Sequence, residues 1–368
     1  MARLGESLAA CGASVEVLSL NPRKHRAAPT GPLPVSAVDI DTDRIIAPVS
    51  RALTSDTPYL VARFVSRTFR ELLGATLQRF APDVVQIESP FLLPYAQTVR
   101  AQSRARVVLR SLNVEFRIWE GLARTERNPL RRLALSLVAA LLRAYELQQM
   151  NALDAIVPIS RDDAADFLRL GCTRPMHVVP CGIASLPDVD QAPEPGRIVF
   201  IGSLDFRPNQ QTVSWIVDEL WPRVRERAPD AHLAIAGSAP PAWLRDRARE
   251  RGVELHANVA DADAFLRRAS VVLAPLFAGG GMRIKVLEAM AHAKPVVATA
   301  IGAGGIDVDD GTDILLAEDA PSFADAVVRL LHDPALAARI GAAARAKVVA
   351  RYDSDALARG LLRFYETL

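Results

Sequence analysis

Short runs rich in β-branched residues alternate with helical patterns along this chain, and the alternation stops once and then restarts. In the first half VEVLSL (Val15–Leu20), DVVQIE (Asp83–Glu88), RVVLRSL (Arg106–Leu112), DAIVPIS (Asp154–Ser160) and HVVP (His177–Pro180) read as strands. Between them lie stretches such as Tyr59–Phe80 and Pro129–Asn151, whose apolar residues recur every three or four positions. SLPDVDQAPEPG, Ser185–Gly196, is proline-rich, has no apolar period and reads as a linker. After it come RIVFIG (Arg197–Gly202), HLAIAG (His232–Gly237), VELHAN (Val253–Asn258), SVVLAPL (Ser270–Leu276), KPVVAT (Lys294–Thr299) and DILLA (Asp313–Ala317). Continuous apolar strands are those buried on both faces, as when helices cover the two sides of a parallel sheet. The expected fold is therefore α/β, with two doubly wound Rossmann-like domains and a cleft between them. Residues 1–184 form the first domain, 185–196 the linker and 197–350 the second, while 351–368 form a helix that packs back toward the first domain.

A chain of 368 residues exceeds one ordinary core, which agrees with two domains. Half the residues are hydrophobic and 23% are charged, so a disordered protein is excluded. The three cysteines show no CxxC and point to a reducing, cytoplasmic setting without a zinc site. The apolar run Leu133–Leu142 is too short to cross a bilayer. Net charge is +2, divided as +6 over residues 1–180 and −4 over residues 181–368. That excess is far below a nucleic-acid footprint. It suits a first half resting on an anionic surface or simply bearing a solvated, Arg-rich face.

The densest chemistry lies in FAGGGMRIKVLEAMAHAKPVV, Phe277–Val297, directly after one strand and before a helix. Glycines let a ligand approach the backbone, and a helix start offers unpaired amides and a positive dipole end to phosphate. On a helical wheel Gly281, Lys285 and Glu288 share one stripe, with Val286, Leu287, Met290 and Ala291 on the apolar side. A carboxylate that accepts two hydrogen bonds suits the vicinal diol of a ribose. The stretch thus reads as a nucleotide site, with phosphates at Arg283, Lys285 and the amides and ribose at Glu288. The plainer alternative is a flexible loop followed by an ordinary Lys–Glu pair. Neither GxGxxG after a first strand nor GxxxxGK[ST] is present.

GGGMRIKVLEAMAHAKPVVAT resembles the donor-site motif of the GT-B glycosyltransferases, family 4 (group 1) type, in which Glu, seven residues and Glu precede Ala-Met-Ala and Pro-Val-Val. The resemblance extends to NVE (Asn113–Glu115) with IWEGLA, VVPCGI (Val178–Ile183), IGSLDFRPN (Ile201–Asn209) and the closing RYDSDALARGLLRFY (Arg351–Tyr365). It implies transfer of a sugar from a nucleoside-diphosphate sugar to a glycan or lipid-linked acceptor, with retention and with no bound metal or cofactor. The setting it implies is surface polysaccharide or glycolipid synthesis.

Carried over position by position, Glu288 matches the ribose carboxylate, while Gly280 stands where the first motif Glu would be. Ser203 stands where the family commonly has an Arg, so Arg283 and Lys285 are expected to supply the leaving-group cations, with Arg207 assisting. Gly202, Gly281, Met282 and Ile284 belong to the donor-side loops, and Asn258 and Val259 lie where relatives hold the base through main-chain groups. Leu112 replaces a His that often precedes NVE. Glu88 and Asn113 end strands and are candidate acceptor contacts or, alternatively, caps of the following helices. The Pro129–Asn151 helix, with Arg131, Arg132 and Arg143, is a candidate for the inner membrane surface or a plain cover for the sheet.

MARLGESLAACGASVEVLSL reads as a helix, a Gly12 stop and a strand, where a doubly wound domain normally opens on a strand. The expectation is a shortened first domain whose sheet lacks an interior strand. With Gly280 and Leu112, this leaves a second function class open: a catalytically impaired relative that binds a nucleotide or a partner protein.

Overall fold

The structure, a computed structural model, describes residues 2–23, 31–42, 57–189, 192–277 and 281–368. It divides into two units. One comprises Met1–Gly182 with Ser354–Leu368, the other Ile183–Asp353.

Among the described residues the first unit holds five parallel strands in two pieces. β1 (Val17–Pro22) pairs with β2 (Val35–Ile40) from Val17↔Val35 to Pro22↔Ile40. β3 (Val84–Ile87), β4 (Arg106–Ser111) and β5 (Ala155–Pro158) form a separate sheet in that order. Among the described residues no ladder joins the pieces, so β1 and β3 each have one edge without a strand partner. β1 is half-buried throughout and β3 nearly so, whereas all of β5 and all but one residue of β4 are buried. The apolar faces still meet in one core, where Leu18, Leu20 and Val38 pack against a cluster containing Ile87, Val107 and Leu109.

Three sequence expectations change here. VSAVDI forms β2, although its apolar residues only alternate with polar ones and give no continuous run. HVVP forms no strand; Met176 makes only an isolated bridge to Ile156, and Val179 N–H donates to Pro158 C=O at 2.9 Å. The pattern over Tyr59–Phe80 breaks into two helices, Tyr59–Ala62 and Arg67–Phe80. Ser66 caps the second by accepting from Phe69 N–H at 3.3 Å, a side-chain bond that competes with helix continuation. The C-terminal helix, Ser354–Glu366, packs on the Ala2–Ala10 helix, with Ala358 and Leu361 buried beside Leu8, Val157 and Val179.

Among the described residues the second unit holds one six-stranded parallel sheet in the order β11-β10-β9-β6-β7-β8. Its strands are β6 (Arg197–Ile201), β7 (His232–Gly237), β8 (Glu254–Ala257), β9 (Val271–Ala274), β10 (Val296–Ala298) and β11 (Leu315–Leu316). Alternate residues of each strand enter opposite cores. Ile198, Phe200, Leu233, Ile235, Val271 and Leu273 face one cluster, and Val199, Ala234, Ala236, Val272 and Ala274 face the other. Both faces are apolar, hence the continuous hydrophobic runs. The stretch read as a linker falls within this unit, and its end is tied there: Glu194 N–H donates to Arg268 C=O at 3.0 Å and its carboxylate accepts from Arg268 Nη2 at 3.1 Å.

Candidate nucleotide-binding site

In the second unit β6 has β7 on one side and β9 on the other, so the connections leave it in opposite directions. Such a switch point opens a crevice at the carboxyl ends of the strands. The described residues leaving β6 and β9 are Gly202–Phe206 and, on either side of positions 278–280, Pro275–Phe277 and Gly281–Arg283, and both segments carry residues singled out from sequence. Close backbone approaches hold this edge together. A Cβ on Gly237 would lie 1.9 Å from Gly202 O, and one on Gly302 would lie 1.9 Å from Ala274 O. Gly237 is therefore required by packing of one strand end on the next.

The helix after β9 runs Ile284–Ala291, with Arg283 at its N-cap position and no side chain capping it. Val286, Leu287, Ala289, Met290 and Ala291 are buried, which fixes the other face outward. Gly281 precedes the helix in the left-handed region (φ 77°), so it does not share the helical stripe expected for it. Lys285 and Glu288 do share one: Lys285 Nζ donates to Glu288 Oε2 at 2.9 Å. Arg283 is half-buried, its Nε donates to Ile301 C=O at 3.3 Å, and burial lowers its pKa from the ordinary guanidinium value. The phosphate and ribose candidates thus lie together on one helix start, with Lys285 and Glu288 already paired. Met282 is half-buried against the Gly305 turn, and Ile284 is exposed. Gly280 lies outside the described residues.

The segments after β6, β7 and β8 are tied side by side. Ser203 Oγ lies 3.2 Å from Ser238 Oγ, and Asn209 Nδ2 donates to Ser203 C=O at 2.9 Å. Asn258 has φ 54° and its Oδ1 accepts from Ala239 N–H at 3.1 Å. Asn is among the few residues that tolerate that conformation. Val259 packs against the core beside it, and Arg207 is exposed at the first turn of the Arg207–Trp215 helix. Phe206, Phe277 and Ile301 are exposed large apolar side chains on the segments after β6, β9 and β10, and sequence reasoning did not select them. A bulky apolar residue beyond the end of a buried strand is the signal that would have found them.

In the first unit neither acceptor candidate caps a helix. Ser89 caps the turn after Glu88, accepting from Phe91 N–H at 3.3 Å. Glu88 instead accepts from Arg110 Nη1 at 3.1 Å and from Gln86, whose amide oxygen accepts from Tyr365 of the C-terminal helix. Arg110 is only 3% exposed, so Glu88 is its charge partner inside the unit. Asn113 Oδ1 is buried without a hydrogen-bond partner, and its C=O accepts from Ser111 Oγ at 2.7 Å. The Glu115–Thr125 helix is served from a distance by Glu146, which accepts from Phe116 N–H at 2.9 Å and Glu115 N–H at 3.3 Å. Burial pushes the Glu146 carboxyl up to about 8, against the lowering effect of these amides.

Residues 195–333 match the family described as glycosyl transferases group 1, and residues 1–182 match the glycosyl transferase 4-like domain. The chain belongs to the group 1 glycosyltransferases. Among curated proteins it is similar to the phosphatidyl-myo-inositol mannosyltransferase of Mycobacterium leprae, 33% identical over 193 residues that make up 50% of each chain. The enzyme of that name from Mycolicibacterium smegmatis is 29% identical over 245 residues, 64% of this chain and 62% of the relative. The chain thus spans about half to three-fifths of the length of these relatives. Among solved structures, sucrose-phosphate synthase from Thermosynechococcus elongatus superposes with a TM-score of 0.67 at 19% identity, over 99% of this chain and 91% of its own. That likeness establishes the GT-B fold, two Rossmann-like domains. In this group 1 chain the matched region 195–333 contains the whole β6–β9 switch point and the Arg283–Glu288 helix start.

Proposed function

We propose that the chain transfers a glycosyl unit from a nucleoside-diphosphate sugar to a glycan or lipid-linked acceptor, with retention, in surface polysaccharide or glycolipid synthesis. The observation that carries this reading is the placement of Arg283, Lys285 and Glu288 on one uncapped helix start beside the β6–β9 switch point. Departure of a nucleoside diphosphate leaves negative charge on the β-phosphate. Fixed cations and helix amides aimed at that oxygen lower the barrier, and loss of one such donor in other enzymes costs on the order of 10²-fold in rate. Arg283 and Lys285 take this role without a resident cofactor, and Arg207 adds positive charge from the β6 side. Glu288 holds the ribose hydroxyls. Gly202, Ser203, Gly281, Met282 and Ile284 line the donor loops, and Asn258 and Val259 meet the base.

On the acceptor side Asn113 offers its unpartnered Oδ1, and Glu88 is held in place by Arg110. The name of the mycobacterial relatives supports a lipid-borne polyol as the acceptor class, and with it work at the inner face of the membrane from the cytoplasm. The test is a thermal-shift panel of UDP, GDP, ADP and CMP, followed by transfer from the matching labelled nucleotide sugar to phosphatidylinositol and to oligosaccharides. A ligand that binds only the native state raises the apparent melting temperature. Stabilisation by one nucleoside diphosphate, with label moving to one acceptor, is the expected outcome. Stabilisation without transfer favours the impaired, nucleotide-binding relative, and no stabilisation by any nucleotide overturns the donor site.

A further inference from the structure

The Pro129–Met150 helix lies between β4 and β5 in sequence and packs against the Glu115–Thr125 helix. Its buried side is made of Ala139, Leu142, Tyr145, Glu146 and Met150. On the opposite side Leu130, Leu133, Leu137 and Leu141 are 77%, 69%, 60% and 51% exposed. At three- and four-residue spacing they form one continuous stripe, roughly 16 Å long at 1.5 Å rise per residue. Exposed apolar residues scattered singly need no explanation, whereas four leucines in line do.

Charge says what covers them. The helix carries four ionisable side chains of the Arg, Lys, Asp and Glu types: Arg131, Arg132, Arg143 and Glu146. Glu146 is buried, where it accepts from the Glu115 and Phe116 amides, so every exposed charge on the helix is positive. Arg131 and Arg132 have no ion-pair partner among the described residues, and the Arg143 guanidinium sits over the Phe116 ring, 5.9 Å from its centroid. The nearby Glu126 is occupied by Asn128 N–H at 2.9 Å, at the residue that caps this helix. An apolar stripe on a helix whose exposed charges are all cationic, with long arginine side chains at the end of the stripe, matches the boundary between acyl chains and anionic headgroups. No helix among the described residues is long and apolar enough to cross a membrane, so such a contact lies on the surface.

We propose that the Pro129–Met150 helix docks this protein on an anionic lipid bilayer, with Leu130, Leu133, Leu137 and Leu141 entering the headgroup–acyl boundary and Arg131 and Arg132 meeting lipid phosphates. The proposal rests on the reading of the acceptor as membrane-borne, and its test needs no acceptor. The full chain is sedimented with vesicles of phosphatidylcholine alone and of phosphatidylcholine mixed with phosphatidylglycerol. It is expected to bind the mixed vesicles, to ignore the neutral ones and to be released by added salt. Leu133→Gln with Leu137→Gln should weaken binding at least about tenfold by removing apolar anchors. Arg131→Glu with Arg132→Glu should abolish the preference for anionic lipid. All four positions are exposed, and an unchanged melting temperature confirms that each variant folds. Failure of the wild-type chain to bind the mixed vesicles, or Leu variants that bind as tightly as wild type, overturns the proposal. So does a wild-type dimer that becomes a monomer in the Leu variant, because the stripe then belongs to a second copy. Transfer to a detergent-solubilised lipid acceptor, measured separately, reports on the proposed function alone, so its failure leaves the vesicle result standing.

Discussion

Lys285 Nζ lies 2.9 Å from Glu288 Oε2, one turn apart on the helix that follows β9. A pair whose lysine side chain is half exposed is worth about 0–1 kcal/mol. A nucleotide can therefore part the two residues at little cost, phosphate taking the ammonium and ribose the carboxylate.

Removal of the cations should separate diphosphate from nucleoside. Lys285→Ala and Arg283→Ala are each expected to weaken nucleoside-diphosphate binding by about tenfold or more, the worth of one charge-assisted hydrogen bond. Affinity for the bare nucleoside should stay within about twofold, well under the 1.4 kcal/mol that a tenfold change requires. Isothermal titration with both ligands decides it; equal losses would sink the phosphate assignment.

Glu288→Gln keeps the shape of the side chain but halves its capacity to accept from a diol. The wild-type chain should prefer ribonucleotide over the 2′-deoxy form, and the variant should lose that preference. A ribo/deoxy affinity ratio unchanged by the substitution would remove Glu288 from the ribose.

Gly237→Ala places a methyl 1.9 Å from Gly202 O. The strand ends must move apart, and overpacking of this kind costs about 1–3 kcal/mol. The displaced Gly202–Phe206 segment borders the site, so chemical denaturation and nucleotide affinity should both fall. A variant as stable as wild type would mean that this edge yields freely.

Glu146 gives the first unit a pH dependence of definite sign. Its folded pKa, about 8, lies above the unfolded carboxyl value of 4.5, so the native state holds a proton that the unfolded state has lost. Stability from this group is complete below about pH 4.5, declines across the window to about pH 8 and then levels off. Glu146→Gln removes the charge and retains an acceptor oxygen for the Phe116 amide, the shorter of the two bonds. At pH 8 it should raise the melting temperature by a few degrees, about 2–4 °C for each kcal/mol recovered. Melting curves of both proteins from pH 5 to pH 8, which brackets most of that window, should converge at the acidic end. Parallel curves would show that Glu146 is ionised throughout.

Much of the fold was legible because its determinants are local. The alternation of Ile198, Val199 and Phe200 between two cores follows from side chains pointing to opposite faces of a strand, so a doubly covered sheet shows as an unbroken apolar run. GGGMRIK was legible in the same way, since glycines, cations and a helix start are neighbours in the chain.

What the sequence by itself determined is thus most of the strands and helices, the parallel α/β class and the residues that share a helix start. Tertiary structure alone decided the partners. Glu146 serves the amides of Glu115 and Phe116, about thirty positions away, and Glu88 is claimed by Arg110 on the neighbouring strand. HVVP has strand composition, yet forms no strand, the isolated bridge to β5 being made by Met176 just before it, and Tyr365 bonds Gln86 across 279 residues. The physical reason is one of range. Propensity and periodicity act over a turn or two of backbone, whereas the state of a carboxylate depends on which distant groups packing brings against it.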